Sequence, residues 1–160
     1  MAQLGLIGVG DMGLEMGRNL LSAGHDLWAY DVREEPLKEL EKAGANLATS
    51  PREVASNSNS AFVMVLTGLQ AREAIAGPDG LLEGFATDST IICTATIGQP
   101  TMVEIASLAT EKGVHVIDSP VSGSTPRAKA GTLTMMPSGP RDVFVRCLPI
   151  LEVVGKDIIY

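Results

Sequence analysis

The segment Gly5-Leu-Ile-Gly-Val-Gly-Asp-Met-Gly13 constrains the fold of this chain more than any other. Gly8, Gly10 and Gly13 stand in the spacing G-x-G-x-x-G. The apolar run Leu4 to Val9 around the first glycine predicts a buried strand. Behind it, Met12, Met16, Leu20 and Leu21 recur at helical spacing until Gly24 closes the helix. Leu27-Trp-Ala-Tyr30 predicts a second strand, and Asp31 follows at once.

Strand, glycine turn, helix, strand and acid in this order form the fingerprint of a dinucleotide-binding unit. Gly8 permits the tight turn, Gly10 lets the backbone approach a pyrophosphate, and Gly13 lets the helix pack on the strand. The backbone of Val9, Asp11 and Met12 completes the turn, with the helix start facing the phosphates. Asp31 lies 18 residues after Gly13, close to the roughly 20-residue offset of an acid that meets the adenosine ribose. A carboxylate there repels a 2′-phosphate, which favours NAD. Arg33, just past Val32, could hold that phosphate instead and keeps NADP possible.

Strand and helix patterns alternate through all 160 residues, which predicts one doubly wound α/β domain of Rossmann type with a mainly parallel sheet. Helix is expected at 34–43, from Pro51 to about Asn57, at 70–76, 99–112, from Ser124 through Ala130, and from Pro140 to about Leu151. Ser50 before Pro51 reads as an N-cap. Strands are expected near 45–48, 61–66, 89–95, 114–117 and 132–136, with a last one starting at Asp157. Pro137 cannot donate to a ladder, so the strand before it is expected at an edge or end. Asp118 to Ser124 reads as a loop.

The net charge of −7 and the lack of a basic patch argue against nucleic acid. The first apolar run is too short and glycine-broken to span a membrane. Cys93 and Cys147 sit in apolar contexts and read as reduced core residues of a cytoplasmic protein, with no metal-ligand cluster in the chain. A hydrophobic content of 45% and a mean hydropathy of +0.20 predict apolar surface that another element covers.

Three motifs together resemble one family. Gly8-Val-Gly-Asp-Met-Gly13, with Met16, Asn19 and Leu20 after it, is similar to the G-x-G-x-M-G-x-x-M-A-x-N-L of the β-hydroxyacid dehydrogenases. These comprise the 3-hydroxyisobutyrate, tartronate semialdehyde and 6-phosphogluconate dehydrogenases. Asp118-Ser-Pro-Val-Ser-Gly-Ser124 is similar to the family's D-A-P-V-S-G-G, and Gly131-Thr-Leu-Thr-Met-Met136 to its G-T-L-x-x-M. The resemblance covers the whole chain as an amino-terminal NAD-binding domain. It implies that Leu66 and Thr67 line the adenosine side, that Thr96 lies near the nicotinamide, and that Ser122, Gly123 and Ser124 hold a substrate carboxylate. The chain departs from the pattern at Thr67-Gly68, Ala95, Ser124 and Pro137-Ser138-Gly139.

By that resemblance the catalytic lysine sits on a helix between two domains. Lys112, Lys129 and Lys156 match no catalytic motif, and His25 and His115 read as structural. No catalytic residue is therefore expected within this chain. The expectation is a half-enzyme: a cofactor domain that would need a helical carboxy-terminal substrate and dimerisation domain, the full-length protein being a homo-oligomer. The rival readings are a stand-alone, non-catalytic nucleotide module and an imine-reductase-like relative.

Overall fold

The computed structural model describes residues 1–160. Its first three-quarters run β1 Gln3–Ile7, α1 Asp11–Ser22, β2 Asp26–Tyr30, α2 Glu34–Lys42, β3 Asn46–Leu47, α3 Pro51–Ser56 and β4 Ser60–Val63. α4 Gly68–Ala76, a 3-10 turn Leu81–Glu83, β5 Thr90–Cys93, α5 Gln99–Glu111 and β6 His115–Asp118 follow. The six strands are all parallel, in the order β3-β2-β1-β4-β5-β6. All four residues of β5 are buried, as a strand covered on both faces requires. One core lies between the sheet and α1, α2 and a late helix; it holds Leu6, Met16, Leu20, Leu40 and Phe62. The other lies beneath α3, α4 and α5 and holds Val54, Val63, Ile75, Ile91 and Ile105. The chain thus begins mid-sheet, winds outward to β3, then returns to wind the other way from β4. That reversal opens a crevice between the carboxyl ends of β1 and β4.

The last quarter departs from a single sheet. β7 Val121–Ser122, β8 Leu133–Met135 and β9 Gly155–Ile158 form a second, three-stranded sheet of their own. β7 lies inside the stretch expected to be loop. β8 is the centre of this small sheet and not an edge, antiparallel to β7 and parallel to β9, but it does end before Pro137, one of the two outcomes the sequence allowed. Pro137 falls just past it, so no ladder bond is lost there. A pair of backbone bonds between Asp118 and Ser138, 3.0 and 2.7 Å, ties the small sheet's exit to the end of β6. The short helix α6 Thr125–Lys129 and the long helix α7 Arg141–Val154 complete the fold. α7 runs past the expected end at Leu151 with Pro149 inside it. Pro149 is exposed, on the helix face where water can satisfy the carbonyl it leaves unpaired. The final strand starts at Gly155, two residues before the expected Asp157. A Cβ at Gly155 would lie 2.7 Å from Met135 Cγ, so glycine lets the chain enter the sheet directly from the helix without displacing the buried Met135 side chain.

β4 ends at Val63, three residues before the expected Leu66. The Val63 carbonyl already receives the amides of Thr94 and Ala95, at 2.9 and 3.1 Å. The amides of Leu66 and Thr67 turn to Gln70 Oε1, at 3.0 and 3.2 Å. Local capping of α4, which starts at Gly68, therefore outcompetes further strand pairing. No helix is long and apolar enough to cross a membrane.

Candidate cofactor site

A groove of about 790 Å³ lies at the carboxyl ends of β1, β2 and β4. Gly8, Gly10 and Asp11 form its floor, Asp31, Val32 and Arg33 one wall, and Met64, Val65 and Leu66 the other. Val32 and Leu66 are 84% and 89% exposed, which places two bare apolar side chains on opposite walls.

The three fingerprint glycines have different reasons to be glycine. Gly8 has φ +90°, and a Cβ there would overlap the Met64 carbonyl oxygen. A Cβ on Gly13 would overlap the Gly8 carbonyl oxygen, so helix and strand could not approach. The free protein requires both. Gly10 is otherwise: its φ is −74°, and a Cβ would meet only Arg33 Nη2, at 3.6 Å. Nothing in the protein forbids a side chain at Gly10. The space it leaves opens into the groove, which fits a group that must touch the backbone there.

The start of α1 is bare as well. Ser50 Oγ caps α3 at 3.2 Å from Glu53 N, and Thr67 with Gln70 makes a full capping box on α4. α1 has Gly10 as its N-cap and no side-chain cap, and its first helical amide bond runs from Leu14 N to Gly10 O at 2.8 Å. The amides of Asp11, Met12 and Gly13 precede that bond, and their partial positive charge lies at the groove floor. Met12 packs on the core beneath and Gly13 is buried, so only their backbone serves the turn.

Asp31 is the fixed point of the wall. Its side chain is 7% exposed. Oδ2 accepts from Val9 N at 2.7 Å, and Oδ1 accepts from Arg33 N at 2.9 Å and Arg33 Nε at 3.2 Å. Burial pushes this carboxyl up, but the hydrogen bonds from the Arg33 side chain, Arg33 backbone and Val9 backbone outweigh it, and the net shift is downward. Asp31 is thus ionised and held in place. Val9 contributes its amide to Asp31 and is itself fully buried. Arg33 folds back on Asp31, mostly exposed.

The remaining expected site residues lie elsewhere. Thr67 does not line the groove; its hydroxyl accepts from Gln70 N at 3.2 Å as the cap of α4. Thr96 is exposed beyond the end of β5. Ser122 at the end of β7, and Gly123 and Ser124 between β7 and α6, are exposed, and none of them lines the groove. Gly123 has φ +144°, a backbone that favours glycine. Ser124 stands at the N-cap of α6 yet makes no capping bond. Its hydroxyl and that of Ser122 remain uncommitted.

Sequence reading missed the far wall of the groove. Thr49 and Pro51 at the start of α3, and Glu73, Pro78 and Asp79 around the end of α4, line it. Arg52 N donates to the Asp79 carbonyl at 2.8 Å and helps join the two segments, a contact with no sequence signature. The two histidines have structural partners: His25 Nδ1 accepts from Ala2 N at 3.2 Å, and His115 Nε2 lies 3.4 Å from Asp88, an acid the sequence did not suggest. Burial, then the charge of Asp118, pushes the Cys93 thiol up to about 12, so it is no nucleophile at neutral pH.

The comparisons with known proteins agree with the fold. The chain is 34% identical over 157 residues to the mitochondrial 3-hydroxyisobutyrate dehydrogenase of Mus musculus, covering 98% of this chain and 47% of that protein. The structure of Mycobacterium tuberculosis 3-hydroxyisobutyrate dehydrogenase with L-serine superposes with a TM-score of 0.94 at 28% identity, over 99% of this chain and 54% of that one. Psf3 in complex with NADP+ and 2-OPP superposes with a TM-score of 0.93 at 26% identity, over 98% of this chain and 56% of that one. The chain spans about half the length of the relatives it matches. The sequence model of the NAD binding domain of 6-phosphogluconate dehydrogenase matches residues 3–160, and this chain belongs to that family.

Proposed function

We propose that this chain is the cofactor-positioning domain of an enzyme that moves hydride between a small β-hydroxyacid and NAD. The observation that carries the reading is Gly10. It is the one fingerprint glycine that the protein's own packing does not demand, and it opens onto the uncapped start of α1. In this reading the backbone of Gly8, Gly10, Asp11 and Met12 receives the diphosphate, and Val32 and Leu66 sandwich the adenine. Asp31 accepts from the adenosine ribose hydroxyls. Bound nicotinamide supplies the hydride acceptor; the chain's own residues orient it. An ionised Asp31 that already holds Arg33 disfavours a 2′-phosphate, so NAD is preferred to NADP. Thr96 faces the nicotinamide end, and the free hydroxyls of Ser122 and Ser124 receive the substrate carboxylate. Two buried, unpaired thiols suit a reducing, cytoplasmic setting.

Residues 1–160 would then be one of two domains, and a carboxy-terminal helical domain would supply the lysine that takes the hydroxyl proton and would pair the subunits. None of Lys112, Lys129 and Lys156 lines the groove. The domain alone is expected to bind cofactor without turnover, since general acid–base help is worth about 10²- to 10⁴-fold. Gly10→Val should abolish NADH binding in calorimetry, by about 100-fold or more, while the wild type binds NADH more tightly than NADPH. Equal binding of NADH by wild type and Gly10→Val would refute the site. Hydride transfer from a small β-hydroxyacid by the purified chain, lost in Ser122→Ala, would refute the two-domain reading.

A further inference from the structure

The proposed dinucleotide groove carries a carboxylate beside the glycine turn that would receive a diphosphate. Asp11 is the first residue of α1, exposed, and lines the groove beside Gly10. No cation lies within 4 Å of it, whereas the neighbouring acid Asp31 is paired with Arg33. The groove holds three further acids, Asp31, Glu73 and Asp79, against one cation, Arg33. Arg33 answers first to its hydrogen bond and charge contact with Asp31, and only more weakly to Asp11. An acid in the first helical turn is favourable in the free protein, because it faces the positive end of the helix dipole. The diphosphate of a dinucleotide needs that same partial charge and those same amides. Both anions cannot enjoy it without repelling each other.

We propose that Asp11 is an affinity-determining residue of the groove: its charge stabilises the free chain through the positive end of the α1 dipole and weakens the binding of a diphosphate to that same helix start. This rests on the reading of the groove as an NAD site. Asp11→Asn keeps the size and removes the charge, so it should move two readouts in opposite directions. The free variant should melt about 1–3 °C lower, the loss of a surface charge–dipole contact. Its affinity for NAD+ should rise about three- to tenfold at low salt, the scale of like charges several ångströms apart near water. The gain should shrink at high salt, where such exposed charges are screened. Adenosine, which lacks the diphosphate, should bind both proteins alike.

Calorimetric titration of wild type and Asp11→Asn with NAD+ and with adenosine, at low and at high salt, beside thermal melts without ligand, decides the matter. Unchanged or weaker NAD+ binding in Asp11→Asn would overturn the proposal, since Asp11 would then be inert or would itself hold the cofactor. An equal gain for adenosine would overturn it too, because the effect would not act on the diphosphate. Absence of NAD+ binding by both proteins would sink the NAD reading itself, and this inference with it.

Discussion

The glycine-turn half of the molecule and the half around Ser122 carry polar groups in opposite states. In the first, Asp31 is nearly buried and accepts four hydrogen bonds, one from Val9 and three from Arg33, so its wall is fastened by the protein's own groups. In the second, Thr96, Ser122 and Ser124 are exposed, and the two serine hydroxyls have no partner. The first half is built by packing within one sheet. The second is a rim of loop ends between two sheets. Pre-formed geometry binds without an ordering cost, so under the proposed reading the glycine-turn half would hold its ligand alone and the serine half would need a further surface to close it.

The comparison breaks most sharply at the glycines. Gly13→Ala should cost about 3 kcal/mol, because its Cβ has only backbone to displace. Gly10→Val, expected to remove NADH binding, should leave the denaturant midpoint almost unchanged. Similar stability losses in chemical denaturation would show that both glycines serve the fold alone.

Asp31 and Asp118 sharpen it by sign. Asp31 titrates below its ordinary 3.8 in the folded chain. Its stabilisation is therefore complete above the unfolded pKa and is lost as pH falls through the folded one. Asp31→Asn should cost about 2 kcal/mol near neutral pH, the worth of hydrogen bonds to a charged group, and the loss should fade in strong acid. Asp118, by contrast, is pushed up by burial, and no hydrogen bond to its carboxylate offsets this. Its charge opposes folding above the folded pKa, and stability is regained as pH falls through it. Asp118→Asn should therefore raise the melting temperature slightly at neutral pH and flatten its acid dependence. Melts across the acid range in which both variants move the same way would contradict the contrast.

The smallest effect belongs to Ser122. Ser122→Ala should shift stability by less than about 0.5 kcal/mol, as exposed, unbonded side chains do, and should leave NADH affinity unaltered. A tenfold loss of NADH affinity would merge the two halves into one site.

Much of the first half was legible in the sequence because its signals are local. Glycine spacing, the apolar run of β1 and the acid after β2 act within one βαβ unit, and each leaves a mark on neighbouring residues. Ser50 with Pro51 likewise announced the start of α3. Leu66 was misread as strand because an apolar run does not show where its ladder partners stop. Gln70 and the doubly occupied Val63 carbonyl decided that. The far wall at Glu73 and Asp79 had no local mark at all.

What the residues alone determined is the winding from β1 to β6, the glycine turn and the acid opposite it. The periodicity of alternating buried strands and amphipathic helices leaves few other ways to hide their apolar faces. Only the tertiary structure decided that β7, β8 and β9 leave the main sheet. That depends on pairing between segments distant in sequence and on the close approach of Gly155 to Met135. It also showed what a Cβ would meet at each fingerprint glycine, a backbone oxygen at Gly8 and Gly13 and only the Arg33 side chain at Gly10. All three are the same letter, and they differ only in what stands within reach of an absent Cβ.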